Sequence, residues 1–159
     1  MIYCKRCVLP NTKPGVIFDK NGICSACLSV EKKKKIDWSK REEQLKSICD
    51  KARGSNGNGY ECIVPVSGGK DSYYQTHQIV KEFGLKPLLV TYDGNNWLPE
   101  GIENRDRMRH VFDVDHLIFG PSVKSLIELN KQCFKIMGDM NWHAHCGINT
   151  YPFQVAVNF

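Results

Sequence analysis

Six consecutive residues carry the groups that a protein uses to hold phosphate. Residues 67–72 read Ser-Gly-Gly-Lys-Asp-Ser and follow the short apolar run 62–66. The two glycines let the backbone approach an anion, and the N–H groups of the helix predicted next would point at it. The Asp71 carboxylate would repel a bare phosphate, and Mg²⁺ offsets that repulsion. The segment therefore predicts a site for a nucleotide that carries Mg²⁺.

The spacing of this segment excludes two common nucleotide-binding signatures and resembles a third. The sequence has no G-x-x-x-x-G-K-[ST] segment, and Gly57-Asn58-Gly59 precedes the predicted strand instead of following it. Residues 67–72 resemble the PP-loop of the ATP pyrophosphatase superfamily, S-G-G-x-D-S. The resemblance implies that ATP is cleaved between its α and β phosphates and that AMP is left on a substrate oxygen. It implies a pyrophosphate site formed by Ser67, Gly68, Gly69 and Ser72, with Lys70 and Asp71 as the catalytic charge and metal partners.

Four cysteines near the start have the spacing of zinc ligands. Cys4 and Cys7 form one C-x-x-C pair, Cys24 and Cys27 form another, and 16 residues separate the pairs. Four thiolates leave no open coordination position, so the predicted zinc is structural. An iron–sulfur cluster and a redox pair are the alternatives.

The elements that must position these groups alternate between strand and helix. The sequence predicts strands at 61–66, 86–92 and 114–119, with helices at 71–83 and 102–112 between them. A further helix is predicted to begin after Ser122, and a capping box at Ser39 predicts an earlier one. The expected fold is α/β, with a parallel, doubly wound PP-loop sheet.

The predicted boundaries are a zinc-binding module at 1–35, a linking helix and loop at 36–58, and the front part of a PP-loop domain at 59–159. A doubly wound sheet usually has about five strands, so the three found here predict an incomplete sheet. Further sequence, a separate chain or a second copy in a homo-oligomer would complete it.

Two further groups of residues are candidates for binding. Tyr92 and Asp93 follow the second strand, where ligands of parallel sheets bind, and are expected on the adenosine side. An ordinary strand-end turn is the alternative. His143, His145 and Cys146 lie in a predicted loop and are candidates for binding substrate or metal, a plain loop being the alternative.

Charge is unevenly distributed along the chain. Residues 1–53 hold 13 Lys and Arg against 6 Asp and Glu, whereas residues 54–159 hold 9 against 11. The basic front could face RNA, the phosphates of a nucleotide sugar or an acidic partner, or it could be a solvated link. No apolar run is long enough for a membrane span and the start has no signal-peptide pattern, so a cytoplasmic protein is expected.

Several segments together resemble the N-acetyl sugar amidotransferases of bacterial surface-polysaccharide and flagellin-sugar pathways. They are Tyr3-Cys4-x-x-Cys7-Val8-Leu9-Pro10, Gly22-Ile23-Cys24-Ser25-Ala26-Cys27, Lys35-Ile36-Asp37-Trp38, the segment 60–72, Pro87-Leu88-Leu89-Val90-Thr91 and, less closely, the segment 145–152. The resemblance implies a ligase that adenylates an acetamido oxygen with ATP and Mg²⁺ and lets ammonia displace AMP. It implies a separate glutaminase and an ammonia-channelling subunit as partners, with an N-acetyl sugar or nucleotide sugar as substrate.

Two other functions explain part of the sequence. A PP-loop tRNA thiolation enzyme would share the zinc module and the loop, and would use cysteines such as Cys133 and Cys146 for sulfur transfer. A zinc-ribbon adaptor for nucleic acid or protein would explain the basic front but not residues 67–72. Aromatic residues near the basic run are limited to Tyr3 and Trp38, which gives little support to RNA binding.

Overall fold

The computed structural model describes residues 1–57, 59–94 and 97–159. The chain divides into two compact units, Met1–Leu45 and Lys46–Phe159. None of the helices in these ranges combines the length and the apolar character that a bilayer crossing needs.

The first unit is built around the four cysteines. Each half is a tight turn closed by one antiparallel bridge, Tyr3 with Pro10 and Phe18 with Cys24. Helix α1 (Ser25–Lys33) begins directly after Cys24, and helix α2 (Trp38–Ala52) begins in this unit. The predicted capping box at Ser39 is wrong, because the Lys40 backbone N–H donates to Asp37 Oδ1 at 3.0 Å and α2 begins before Ser39.

The second unit contains a three-stranded parallel sheet, as the sequence predicts. Its strands are β1 (Cys62–Pro65), β2 (Pro87–Tyr92) and β3 (His116–Phe119), in the order β1-β2-β3. The helices are α3 (Lys70–His77), which continues as a π-helical turn over Gln78–Glu82, α4 (Pro99–Phe112), α5 (Val123–Met137) and α6 (Trp142–Asn158). The reversal of strand order that defines a doubly wound sheet does not occur among the described strands.

Alternating residues of the strands face two different helical layers. Val64 and Leu89 pack with Met108 and Phe112 of α4. Leu88 and Val90 pack with Val155 of α6, beside Tyr151. A sheet covered on both faces explains why β2 is an almost continuous apolar run. The carboxyl ends of β1 and β2 therefore lie between two helical layers.

The segment that holds His143, His145 and Cys146 is helical, so its prediction as a loop is wrong. These residues lie in the first turns of α6, which continues through Pro152 to Asn158. The buried side chains of Pro152 and Val155 anchor this helix to the unit. Tertiary packing thus outweighs the low helix propensity of Gly147 and Pro152.

Candidate functional site

The loop at the end of β1 is held by contacts on both sides. The Val66 backbone N–H donates to Val90 O at 2.9 Å, and the Thr91 hydroxyl donates to Val66 O at 2.7 Å. Gly68 has a φ of +76°, and a Cβ there would fall 2.6 Å from the backbone nitrogen of Arg105. Only glycine fits this conformation and this close approach to α4. The segment predicted to hold phosphate is therefore a tightly supported turn.

The start of α3 points free donors out of this turn. Gly69 is the N-cap residue, with extended φ and ψ of −78° and 168°, and no side chain caps the helix. The Tyr73 N–H donates to Gly69 O at 3.1 Å, and the N–H groups before Tyr73 have no partner within the helix. Together with the helix dipole, free N–H groups of this kind are suited to an anion, and binding of phosphate here stays a prediction.

The two serines of the loop are brought together. The Ser67 backbone N–H donates to Ser72 Oγ at 2.9 Å, and the two hydroxyl oxygens lie 3.3 Å apart. Ser72 is buried and Ser67 is exposed. Ser72 accepts one bond through its oxygen, and either hydroxyl of the pair can donate to the other, so one hydroxyl proton of the two stays available. The loop thus presents hydroxyl and backbone donors from the same turn.

Lys70 and Asp71 occupy a different environment from the serines. Lys70 Nζ lies 2.8 Å from Asp71 Oδ1, and both side chains are largely exposed. An exposed pair of this kind contributes little to stability. Both side chains are therefore free to change partners when a charged ligand arrives, and their catalytic role stays a prediction.

Asp93 is already engaged by two donors. Trp97 Nε1 donates to its Oδ1 at 2.5 Å, and Arg105 Nη1 donates to its Oδ2 at 3.1 Å. Arg105 is only 8% exposed, also pairs with Asp106 at 3.0 Å, and stacks over the Trp97 ring. Asp93 therefore fixes α4 against the end of β2, and its expected contact with adenosine stays a prediction.

Tyr92 contributes its ring to the packing between β2 and α6. Its ring lies near those of Phe119 and Tyr151, with centroids 6.0 and 6.4 Å away. A Cβ on Gly147 of α6 would overlap the Tyr92 ring, so the helix backbone lies directly against it. Burial, followed by the charge of Cys146, raises the pKa of Tyr92.

A cavity of about 200 Å³ opens beside the loop. Its lining combines the loop serines with apolar and aromatic groups, among them Val66, Ser67, Ser72, Tyr92, Trp97 and Pro152. Its volume is smaller than the usual range of about 300–1,000 Å³ for ligand sites. Trp97 and Arg105 were not among the predicted site residues, and nothing in the local pattern separates Arg105 from Arg107 and Arg109.

The residues at the start of α6 separate in space. His143 is buried, and its Nε2 lies 2.7 Å from Asn130 Oδ1 on α5. His145 and Cys146 are exposed. In the described residues, the one group of three or more His, Cys, Asp or Glu that could hold a metal is the cysteine cluster of the first unit.

The cysteine cluster has the dimensions of a zinc site. All four Sγ atoms lie within 4.8 Å of one another, with Cys4 to Cys27 at 4.0 Å and Cys7 to Cys24 at 3.6 Å. Tetrahedral zinc with Zn–S bonds of about 2.3 Å places its sulfurs about 3.8 Å apart. The four side chains fit that ion.

Backbone N–H groups favour the thiolate form of Cys4. The N–H groups of Arg6 and Cys24 donate to Cys4 Sγ at 3.4 and 3.3 Å. Burial alone raises the pKa of Cys4, but the backbone donors outweigh it and lower that pKa to about 6. Thiolates are the form in which cysteines bind zinc, so these donors support the same assignment at Cys4. The hydrogen bond with the Cys7 thiol, followed by burial, raises the pKa of Cys27, so the fit of that ligand rests on the sulfur positions.

Comparisons with known proteins give similarities in sequence and in fold. The chain is 29% identical over 126 residues to the uncharacterized protein MJ1599 of Methanocaldococcus jannaschii, across 79% of this chain and 45% of that protein. The chain thus spans less than half the length of this curated relative. No family model matches the chain. Its fold also has a weak likeness to the NH3-dependent NAD synthetase of Campylobacter jejuni in complex with a nitrate ion, with 17% identity and a TM-score of 0.38 over 61% of this chain and 49% of that one.

Proposed function

We propose that this chain is the ATP-binding part of an AMP-forming ligase. The observation that carries the proposal is the turn after β1, where Gly68 lies against the Arg105 backbone and α3 begins with unpartnered N–H groups. The paired hydroxyls of Ser67 and Ser72 add one further donor to the turn. This arrangement suits the pyrophosphate that leaves when the α phosphate is attacked, because fixed donors stabilise charge as it develops.

The adenine ring of ATP occupies the cavity of about 200 Å³ in this proposal. Trp97 and Tyr92 offer aromatic surface there, and Ser67 and Ser72 line both the cavity and the loop. One ligand can therefore reach both places. Mg²⁺ would neutralise the phosphate oxygens, and the exposed Asp71 carboxylate is the group of the loop suited to hold it.

The acceptor in this proposal is the acetamido oxygen of an N-acetyl sugar or nucleotide sugar. That oxygen attacks the α phosphate, the bond to the β phosphate breaks, and pyrophosphate leaves. Ammonia then adds to the activated imidate carbon, and AMP departs with the original oxygen as a proton is lost. An acetamidino group results. The acceptor and the partner glutaminase and channelling subunits rest on the sequence resemblance alone.

Pyrophosphate release tests the proposal. The zinc-loaded chain is incubated with ATP, Mg²⁺ and ammonium, and either a panel of N-acetylated nucleotide sugars or bulk tRNA. We expect sugar-dependent release and a product in which NH has replaced an oxygen. The matched variants are Ser67→Ala in the loop and Ser39→Ala on the exposed surface of α2. Ser67→Ala loses one hydrogen bond to the developing charge, so its pyrophosphate release should be slower by about tenfold or more. Ser39→Ala should release pyrophosphate at the unchanged rate.

The alternatives predict different results in the same assay. Release that depends on tRNA would support a thiolation enzyme, and a steep dependence of binding on salt would accompany it. Equal rates for the two serine variants would contradict the assignment of the loop. Absence of ATP binding by the intact chain would contradict the proposal as a whole.

A further inference from the structure

A second and larger cavity lies between α5 and α6. Its volume is about 560 Å³, within the usual range for small-molecule sites. Leu126, Ile127 and Asn130 line it from α5, and His145 and Ile148 from α6. Ile148 also lines the smaller cavity beside the loop. The two cavities therefore adjoin, and a ligand in one would lie next to a ligand in the other.

The chemistry of the lining selects an uncharged ligand. In the described part of the chain, no Lys, Arg, Asp or Glu lines this cavity. Its polar groups are the amides of Asn130 and Asn141 and the imidazole of His145, among the apolar side chains of Leu126 and Met140. The lining is open to solvent, with Ile127, Met140 and Ile148 all exposed, and among the residues that the structure describes it offers an ionic group no charged side chain to pair with. Hydroxyl and amide groups would find donors and acceptors, with apolar surface for a ring.

A buried histidine orients one of these amides. His143 is 7% exposed, and its Nε2 lies 2.7 Å from Asn130 Oδ1. A carbonyl oxygen only accepts, so the imidazole N–H donates and the Asn130 amide is held by its oxygen end. The NH₂ end of Asn130 then remains available at the cavity. His143 is thus a positioning residue that acts through Asn130.

We propose that this cavity binds the acceptor through its uncharged, hydroxyl- and amide-bearing ring, with the Asn130 and Asn141 side chains as its hydrogen-bonding groups. The proposal rests on the proposed function, because it assumes an acceptor that must lie beside the nucleotide. It assigns the ring to the α5–α6 cavity and leaves any phosphate of the acceptor outside.

The test follows side-chain amide signals by NMR in the zinc-loaded chain of 159 residues. The probe is N-acetylglucosamine, and glucosamine is its cationic counterpart of similar shape. At concentrations up to about 50 mM, where weak monosaccharide binding is measurable, we expect the neutral sugar to shift the Asn130 and Asn141 amide signals. Glucosamine should shift them much less. No shift with the neutral sugar, or equal shifts with both, would overturn the proposal.

Variants separate a binding role from a structural one. Asn130→Asp keeps the shape but removes the NH₂ donors and adds a charge, so affinity for N-acetylglucosamine should fall by about tenfold or more. Asn141→Ala should weaken binding without affecting folding, since the Asn141 side chain caps nothing. Gln132→Ala on α5 is the control, because its amide bonds Glu128 and does not line the cavity. Unchanged affinity in both asparagine variants would overturn the proposal.

Two further measurements complete the design. His143→Leu should weaken sugar binding and shift the Asn130 amide signal in the absence of sugar, and His143→Gln, which restores a donor, should recover part of both. Identical behaviour of these two variants would contradict the positioning role. A separate titration with ATP and Mg²⁺ follows the backbone amides of Gly68 and Gly69. If these do not move, the proposed function fails; if they move and the sugar results are negative, only the assignment of this cavity fails.

Discussion

Replacing Gly68 with alanine tests the geometry on which the loop depends. The substitution should impose two separable costs. A φ of +76° strains any residue with a Cβ, by about 1–2 kcal/mol. The added atom also meets the Arg105 backbone at 2.6 Å, and crowding against backbone costs about 1–3 kcal/mol more. The free energy of unfolding should therefore fall by about 2–5 kcal/mol.

Two other glycines make the result interpretable. Gly138 has a φ of +71°, and no atom lies within 4 Å of the position that a Cβ would take there, so Gly138→Ala measures backbone strain alone. Gly69 has a φ of −78°, and a Cβ there would meet only Ser67 Oγ at 3.6 Å, so Gly69→Ala should be the mildest of the three. The difference between the losses of unfolding free energy in Gly68→Ala and Gly138→Ala measures the cost of crowding against α4.

Thermal unfolding followed by near-ultraviolet circular dichroism is the assay. For a unit of this size, a loss of about 3 kcal/mol lowers the melting temperature by roughly 10–20 °C. Binding of ATP should be lost in Gly68→Ala and kept in Gly138→Ala, which lies at the end of α5. A Gly68→Ala protein no less stable than Gly138→Ala would refute the close approach to Arg105.

Three further predictions concern other parts of the chain. One equivalent of zinc should bind to the first unit. A strong chelator or the substitution Cys4→Ser should unfold this unit, which circular dichroism would detect. Retained structure without metal would contradict a structural zinc. Asp93→Asn should lower the free energy of unfolding by about 1–3 kcal/mol because it leaves the buried Arg105 charge with one partner, and the more exposed Asp106→Asn should cost less. Burial, followed by the charge of Arg105, lowers the pKa of His116 from 6.5 to about 4. The free energy of unfolding should therefore fall as the pH drops from 6.5 towards 4. Chemical denaturation of His116→Gln should lack this contribution to the pH dependence.

The parallel sheet and its order of elements follow from local patterns. Apolar runs of strand length end at glycine and alternate with helical segments, which is sufficient to predict β1, β2 and β3 to within two residues. The start of α6 was not predictable in this way, because Gly147 and Pro152 are typical of loops. Its helical conformation depends on burial of Val155 against Leu88 and Val90, a contact between residues far apart in sequence.

The candidate site shows the same division between local and long-range information. The donors of residues 67–72 are predicted by spacing, because one turn contains them all. The partners that support this site lie on other elements: Arg105 comes from α4, and the Tyr92 ring meets Gly147 from α6. Each contact requires a residue without a side chain at the point of approach. In the sequence such a glycine is typical of a turn or a loop. In the fold, Gly68 and Gly147 are the points at which α4 and α6 contact the end of the sheet. The substitution of Gly147 by alanine should therefore displace the Tyr92 ring and alter the smaller cavity, which this ring lines, while leaving the loop donors in place. Reduced affinity for ATP, with the Ser67 and Ser72 signals unchanged, would show that α6 determines the shape of the smaller cavity, whereas unchanged affinity would contradict this role of the Gly147 contact.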